Sequence, residues 1–370
     1  MKIYWMFLII SLITYAWSES RYRIVESGNH YENRAFSSQA IVFFAVIIFF
    51  CGLRSGIADT GTYIAMFKEY PSSIGAIDWA SIQKGKGFYL ISVVYKQFIS
   101  RDFHGWLFLI ALVSGFATMK AFQKYSSSFG FSCYLFIATT IFTYLVNGMR
   151  QYIVVSIFFW LGTEYILERK FSKYLLLILL LSTVHTSAWI LLIVYFFRDI
   201  KPWSMQMWAL LAGFVVAGVG FDQLFPYFGE VLGNTQYKGY VDYFATSAVG
   251  SSLLRLGIAA VPCIISYIAK EIIREQENEL INLAITMSVI NFGLYIVATF
   301  SSGMVIGRLT VYFDIFNLIL LPWLFKYTFN EKSSKIITLA CMGIYAVFFY
   351  FQMVMTWGIV YESDILHLYL

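Results

Sequence analysis

Charge is what this chain has least of. Only 13% of its 370 residues are Asp, Glu, Lys or Arg, against 59% hydrophobic, and the mean hydropathy is +0.70. A water-soluble domain of this length needs far more charge to cover its surface, so the bilayer must supply much of the solvent. Cysteine is scarce too: Cys51, Cys133, Cys263 and Cys341 all lie in apolar stretches, none in CxxC spacing. That excludes a disulfide framework and a thiolate metal site, and leaves small core residues. No Walker loop, GxGxxG, HExxH or GxSxG occurs, so ATPase, dehydrogenase, metalloprotease and nucleophile-elbow hydrolase chemistry have no support. Outer-loop carboxylates show no metal spacing, and no cofactor is expected. Internal repeats, low-complexity tracts and long Gly/Ser linkers are absent as well, so residues 1–370 read as one transmembrane domain.

What the chain has is apolar runs. A hydrocarbon core about 30 Å thick needs roughly 20 apolar residues per helix. Spans are expected at 3–17, 39–53, 103–119, 131–146, 149–167, 174–197, 203–220, 253–269, 280–300, 309–329 and 336–356. The fold class is therefore an all-α polytopic integral membrane protein with about 10 to 12 transmembrane helices. A β-barrel is excluded because the runs lack alternation. The first run follows only Lys2 and precedes the bulky Tyr15-Ala16-Trp17, which reads as a retained helix, not a cleaved signal. Outer loops are expected at 54–102 and 221–252, with an interfacial helix from Gly87 to Ile99.

The net charge of +5 is scattered between apolar segments, which suits membrane topology and not nucleic acid. Lys120 and Lys124, Arg169 to Lys173, Lys270 and Arg274, and Lys326 to Lys335 belong on the cytoplasmic side by the positive-inside rule. Arg198 and Lys201 then conflict with Arg169–Lys173, because one apolar segment separates the two clusters. Either 174–197 is a re-entrant hairpin turning in Ser182-Thr183-Val184-His185-Thr186-Ser187, or it is a plain helix with Arg198 outside.

On this topology Arg54, Asp59, Arg150 and Arg308 fall on the outer side, beside helix ends. A guanidinium costs about 2.5–3.5 kcal/mol at the bilayer centre and less near its edge, so each wants an anion. Taken singly, each is an anchoring arginine that snorkels. Together, three on one face suit a diphosphate held by charge-assisted forks. His185, within a long apolar run, is either a helix histidine bonded to nearby Ser and Thr or a proton acceptor. Asp59 is either a partner of Arg54, an N-cap, or the general base. Tyr237-Lys238-Gly239-Tyr240 sets a cation between aromatics, suited to sugars or lipid headgroups. Asp314 is an intramembrane carboxylate close to Tyr312, which Asn317 could make structural.

Gly148-Met149-Arg150-Gln151 before an apolar helix, then Glu168-Arg169-Lys170, then His185-Thr186-Ser187-Ala188, resembles the EpsG-like branch of the Wzy-type polysaccharide polymerases. Gly52-Leu53-Arg54 with Asp59-Thr60 and Tyr63-x-x-x-Phe67 is similar to that family's N-terminal signature, and Arg308 with Tyr312-Phe313 to its C-terminal one. The likeness runs from about residue 40 to 325. It departs where Thr60 replaces the tyrosine that often follows the aspartate. The resemblance implies a GT-C-like architecture in the bacterial inner membrane. It implies transfer of a glycan from undecaprenyl diphosphate onto a lipid-linked repeat unit, at the outer face; without metal spacing among the carboxylates, the transfer is expected to be metal-independent. Its donors would be undecaprenyl-diphosphate-linked oligosaccharides, and chain-length-regulator and flippase proteins its partners. It puts Arg150, Arg308 and Arg54 on the diphosphate and His185 or Asp59 on the acceptor hydroxyl. Tyr63, Asn147, Gln151, Tyr237, Lys238, Tyr240 and Tyr312 would lie along the glycan. An O-antigen ligase would share the donor but carry a larger outer loop, and a flippase would transport without chemistry, normally with an internal repeat. A membrane acyltransferase would want a charged partner for His185 in its own helix.

Overall fold

A computed structural model of the chain describes residues 1–21, 38–221, 223, 250–301, 303 and 305–369. The apolar runs fold as helices because a backbone in lipid has no water to bond and must satisfy itself within the segment. In chain order these are α1 (Lys2–Arg21), α2 (Ser38–Gly52), α3 (Thr60–Glu69), α4 (Lys86–Phe98), α5 (Phe103–Tyr125), α6 (Phe129–Ala138), α7 (Met149–Ile157), α8 (Thr163–Leu167) and α9 (Phe171–Val184). Then come α10 (Met205–Val219), α11 (Leu253–Ile268), α12 (Lys270–Glu275), α13 (Glu279–Phe300), α14 (Val305–Asp314), α15 (Asn317–Thr328) and α16 (Glu331–Tyr350). Among the described residues, Phe103–Tyr125, Glu279–Phe300 and Glu331–Trp357 are each long and apolar enough to cross a bilayer. The pair α14 and α15, bent by 45°, makes one more, and seven shorter apolar helices accompany them. The protein is an all-α polytopic membrane protein.

Several expected spans are interrupted. The 131–146 run leaves helix at Ala138, because Thr140 takes a left-handed φ of 66°, and resumes as a 3-10 turn, Ile141–Leu145. The 149–167 run holds a π-turn, Phe158–Gly162, between α7 and α8. The expected interfacial helix appears as α4, with Phe88, Ser92, Val93 and Tyr95 buried.

The chain forms two compact units: Met1–Tyr195 with Glu331–Leu370, and Phe196–Asn330. In the first unit α5 is the central rod, started by the Asp102 carboxylate accepting from Gly105 N at 3.3 Å. Helices in lipid gain little by hiding apolar surface from one another, so close packing and hydrogen bonds must hold them. Phe122 on α5 meets Phe44 of α2 and Phe136 of α6, each at 6.0 Å between ring centroids. Thr118 Oγ1 and Tyr152 OH, 3.1 Å apart, join α5 to α7. Outward-facing apolar side chains such as Ile13, Leu176 and Val347 are well over half exposed, a surface suited to lipid and not to water. After α16 a π-turn leads to two short antiparallel strands, β1 (Glu362–Ser363) and β2 (Leu368–Tyr369). They clasp the turn after α2: Ser55 N donates to Glu362 O at 2.9 Å, and Tyr361 OH to Phe50 O at 2.9 Å.

The 171–197 segment reverses on itself. After α9 the chain is extended at His185 and continues as a 3-10 helix, Thr186–Phe197. Tyr174 OH donates to Leu191 O, and Phe171 and Tyr174 pack on the Tyr195 ring at 4.9 and 5.3 Å. The two arms are therefore antiparallel. With 14 residues, α9 rises about 21 Å, short of a 30 Å core. It starts beside the Lys124–Glu164 ion pair (2.8 Å), so that end of the unit gathers Lys124, Lys170 and Lys173, and the hairpin tip points to the other end.

In the second unit α10, α11 and α14 pack around α13. Arg274 donates to Pro202 O and Trp203 O, both at 3.1 Å, which sets Arg274 at the same end of the unit as the 201–203 turn. Asp314 accepts from Asn317 Nδ2 at 2.9 Å and Asn291 Nδ2 at 3.2 Å, tying α13 to the break between α14 and α15. Asn317 thus gives this intramembrane carboxylate the structural partner that the sequence allowed.

Candidate functional site

The site lies at the hairpin-tip end of the first unit. Two glycines in left-handed conformation build it. Gly148 (φ 78°) precedes α7, and its N–H donates to Asp59 Oδ2 at 2.9 Å. Gly85 (φ 68°) precedes α4. L-residues pay a steric penalty in this region that glycine escapes.

Asp59 occupies the N-cap position of α3, but its side chain makes no capping bond there. The carboxylate instead spans 89 residues of chain to hold the Gly148 turn. Two residues on, Arg150 stands in the first turn of α7, its guanidinium over the rings of Tyr63 (5.5 Å) and Phe88 (5.7 Å), with Nε 3.4 Å from Tyr63 OH. Tyr63 follows Asp59 by one helical turn on α3, so one short helix supplies both the anchor of Gly148 and the platform for Arg150. Burial pushes the nearby Tyr70 hydroxyl up to about 12, against the downward pull of the Arg150 charge.

His185 joins through α4. A Cβ built on Gly85 would lie 3.2 Å from Arg150 Nη1 and 3.3 Å from Val184 O, the carbonyl just before His185. A Cβ on Gly87 would collide with Thr183 Oγ1 at 2.1 Å. The backbone at the start of α4 therefore presses directly on the hairpin tip: a side chain would crowd its neighbours at Gly85 and clash outright at Gly87. His185 is half-buried, outside α9 proper, with Nδ1 2.6 Å from Ser187 Oγ. The local serine partner expected from the sequence is present, though at a turn and not within a helix.

Arg54 has a different environment from Arg150. It is fully buried, with Nε donating to Thr60 Oγ1 at 2.9 Å, Nη1 to Cys51 O, and Nη2 to Met149 Sδ at 3.2 Å. Burial lowers its pKa, while Cys51 and Asp59 oppose that. Its donors pin the end of α2, the start of α3 and the start of α7 together. Thr60, the departure from the family pattern, is one of its acceptors.

Asn147 is half-buried beside Gly148, its N–H on Thr143 O at 2.8 Å, and Gln151 is buried beside Arg150. Arg308 and Tyr312 belong to the second unit, on α14, Arg308 exposed and Tyr312 fully buried. Tyr237, Lys238 and Tyr240 lie outside the described residues. Among the described residues no group of three or more His, Cys, Asp and Glu side chains gathers as a metal site would.

The first unit thus brings together Asp59, Tyr63, Arg150 and the His185 turn, with Arg54 behind them. Sequence reasoning missed Gly85 and Gly87 as the contact that joins them. The signal was there in Lys84-Gly85-Lys86-Gly87, alternate glycines directly before an apolar helix.

No curated protein and no solved structure matches the chain. The EpsG family model matches residues 39–363, a range that takes in every helix of this site and reaches the strand clasping the Arg54 turn. With nearly its whole length matched, the chain belongs to the EpsG family, whose members are polysaccharide-polymerase-like membrane proteins.

Proposed function

We propose that this chain is a Wzy-type polysaccharide polymerase. It moves a growing glycan from undecaprenyl diphosphate to a hydroxyl of an incoming lipid-linked repeat unit, at the outer face of the bacterial inner membrane and without a metal. One observation carries the reading: Arg150, Tyr63, Asp59 and the His185 turn converge at the end of the first unit opposite Lys124 and Lys170.

In the transfer, the bond between the sugar C1 and the diphosphate oxygen breaks, and its electron pair leaves with the diphosphate. The acceptor hydroxyl oxygen forms the new bond to C1, and its proton passes to His185. A diphosphate is already a good leaving group, so the need is for cationic charge fixed in place before the bond breaks. Arg150 supplies it. Stacked on two aromatic faces in a half-buried position, its guanidinium works at lower dielectric than in water and keeps a fork that matches phosphate oxygens. In the His185 tautomer whose Nδ1–H donates to Ser187 Oγ, Nε2 carries the lone pair that takes the proton. Asp59 and Arg54 act as positioning residues, fixing the Gly148 turn from which Arg150 projects.

The test uses purified protein in liposomes supplied with lipid-linked repeat units. Lengthening chains are expected. Movement of the lipid between leaflets without lengthening would replace the polymerase by a transporter.

A further inference from the structure

Below Arg150 the first unit carries an apolar groove of about 390 Å³ between α5 and the α7 segment, lined by Leu112, Val113 and Phe116 on one side and Ile157, Trp160 and Leu161 on the other. Its position follows from helix geometry. Arg150 and Ile157 are seven residues apart in α7, so they share a face and sit about 10 Å apart along the axis. Ile153, between them on that face, is half-buried like both. A cation thus heads a continuous apolar stripe that runs down into the groove.

The π-turn Phe158–Gly162 shapes the groove wall. Such a turn inserts an extra residue per turn and leaves backbone carbonyls without their usual partners, and it is frequent at functional sites. Here Tyr125 OH captures the Trp160 carbonyl at 2.7 Å, and Trp160 packs edge-on against Phe116 at 5.8 Å. The widened turn therefore has its own buried polar support and puts two large side chains, Trp160 and Leu161, on the lip. Opposite them, Leu112, Val113 and Phe116 are all exposed.

We infer that this groove is the berth of the carrier's polyisoprenyl tail: an amphiphile whose diphosphate lies on Arg150 has its first tail segment directed along Ile153 into the space between Val113 and Trp160. The inference rests on the proposed function for the headgroup, and it adds a defined track for the lipid. Bulk lipid would coat any apolar face. The carrier differs from an ordinary anionic phospholipid at both ends: its diphosphate offers the Arg150 fork more charge and more oxygens than a phosphodiester, and its single methyl-branched tail suits one narrow groove better than a pair of acyl chains.

The full-length protein in liposomes is irradiated with undecaprenyl diphosphate bearing a diazirine on its tail, near the head. Expected labels fall on peptides containing 112–117 or 157–161. They should fall at least tenfold in Val113→Trp and in Leu112→Trp, which fill an exposed position without adding charge, and thermal unfolding would confirm that each variant is folded. Unlabelled undecaprenyl diphosphate should compete, and excess phosphatidylglycerol should not. Labels elsewhere, labels indifferent to both tryptophans, or equal competition by phosphatidylglycerol would overturn the assignment. Labelling needs no glycan transfer, so a protein that labels as expected yet makes no polymer would sink the polymerase reading and keep this one.

Discussion

Replacing Asp59 separates two roles that the sequence leaves open. Its Oδ2 accepts from Gly148 N at 2.9 Å, so a positioning role predicts graded losses. Asp59→Asn keeps an acceptor of the same reach for Gly148 and loses the charge assistance, together with the carboxylate charge that favours the buried Arg54 cation. Hydrogen bonds to charged groups are worth about 1.5–3 kcal/mol against about 0.5–1.5 for neutral ones, so the change costs about 1 kcal/mol. If that all falls on the placement of Arg150, kcat/KM drops about fivefold. Asp59→Ala removes the acceptor, frees the Gly148 turn and costs about 2–3 kcal/mol, which is roughly 30- to 160-fold. The assay is chain extension in proteoliposomes across a pH series. A positioning Asp59 leaves the shape of the pH profile unchanged in Asp59→Asn. A general base behaves otherwise: Asn would be as inactive as Ala, and the acid limb of the profile would vanish. Equal inactivity of the two variants would refute the positioning argument.

Arg150→Lys keeps the charge but loses the planar fork and its stacking on Tyr63 and Phe88, so kcat/KM should fall about 10²–10³-fold. Full polymer length with lysine would discard the role. Gly85→Ala forces a left-handed alanine, costing about 1–2 kcal/mol of stability, and sets a methyl 3.2 Å from Arg150 Nη1. Thermal unfolding should shift modestly while chain extension drops by more than that shift explains. A drop no larger than the stability loss would show that Arg150 tolerates the intrusion. Reporter tags at residues 170 and 200 should read the same compartment; opposite compartments would rule out re-entry.

The sequence made the helical class plain because lipid-facing runs leave the backbone no alternative to helix. Interruptions were harder to see. Nothing in Ala138-Thr139-Thr140 announces a left-handed threonine, and nothing in Phe158–Gly162 announces a π-turn, since both are set by neighbouring helices and not by local propensity. The site was half legible. Arg150, Asp59, Tyr63 and His185 were each conspicuous as polar groups in an apolar chain. Their company was not, because the contacts that unite them are backbone approaches at Gly85 and Gly87, and glycine leaves no chemical signature of what it lets close. Arg54 and Arg150 looked alike in sequence and differ in place: one has its donors turned inward on Cys51, Thr60 and Met149, the other lies over aromatic rings at the surface of the bundle.

The reversal at His185 links topology to chemistry. Two basic clusters flanking one apolar segment cannot both be cytoplasmic if the segment crosses. They can if it turns back, and the packing of Phe171 and Tyr174 on Tyr195 is what a return requires. A re-entrant tip needs polar groups to satisfy its bent backbone. Here Ser182 and Thr183 bond back to Leu179 O and Leu180 O, and Ala188 N closes on His185 O at 3.0 Å. A plain helix through this segment would carry His185 along its wall, among lipid tails or neighbouring helices. The hairpin instead sets His185 in the turn, next to the Val184 carbonyl that faces Gly85, so the bend that balances the charge count also brings this turn to the corner where Arg150 lies.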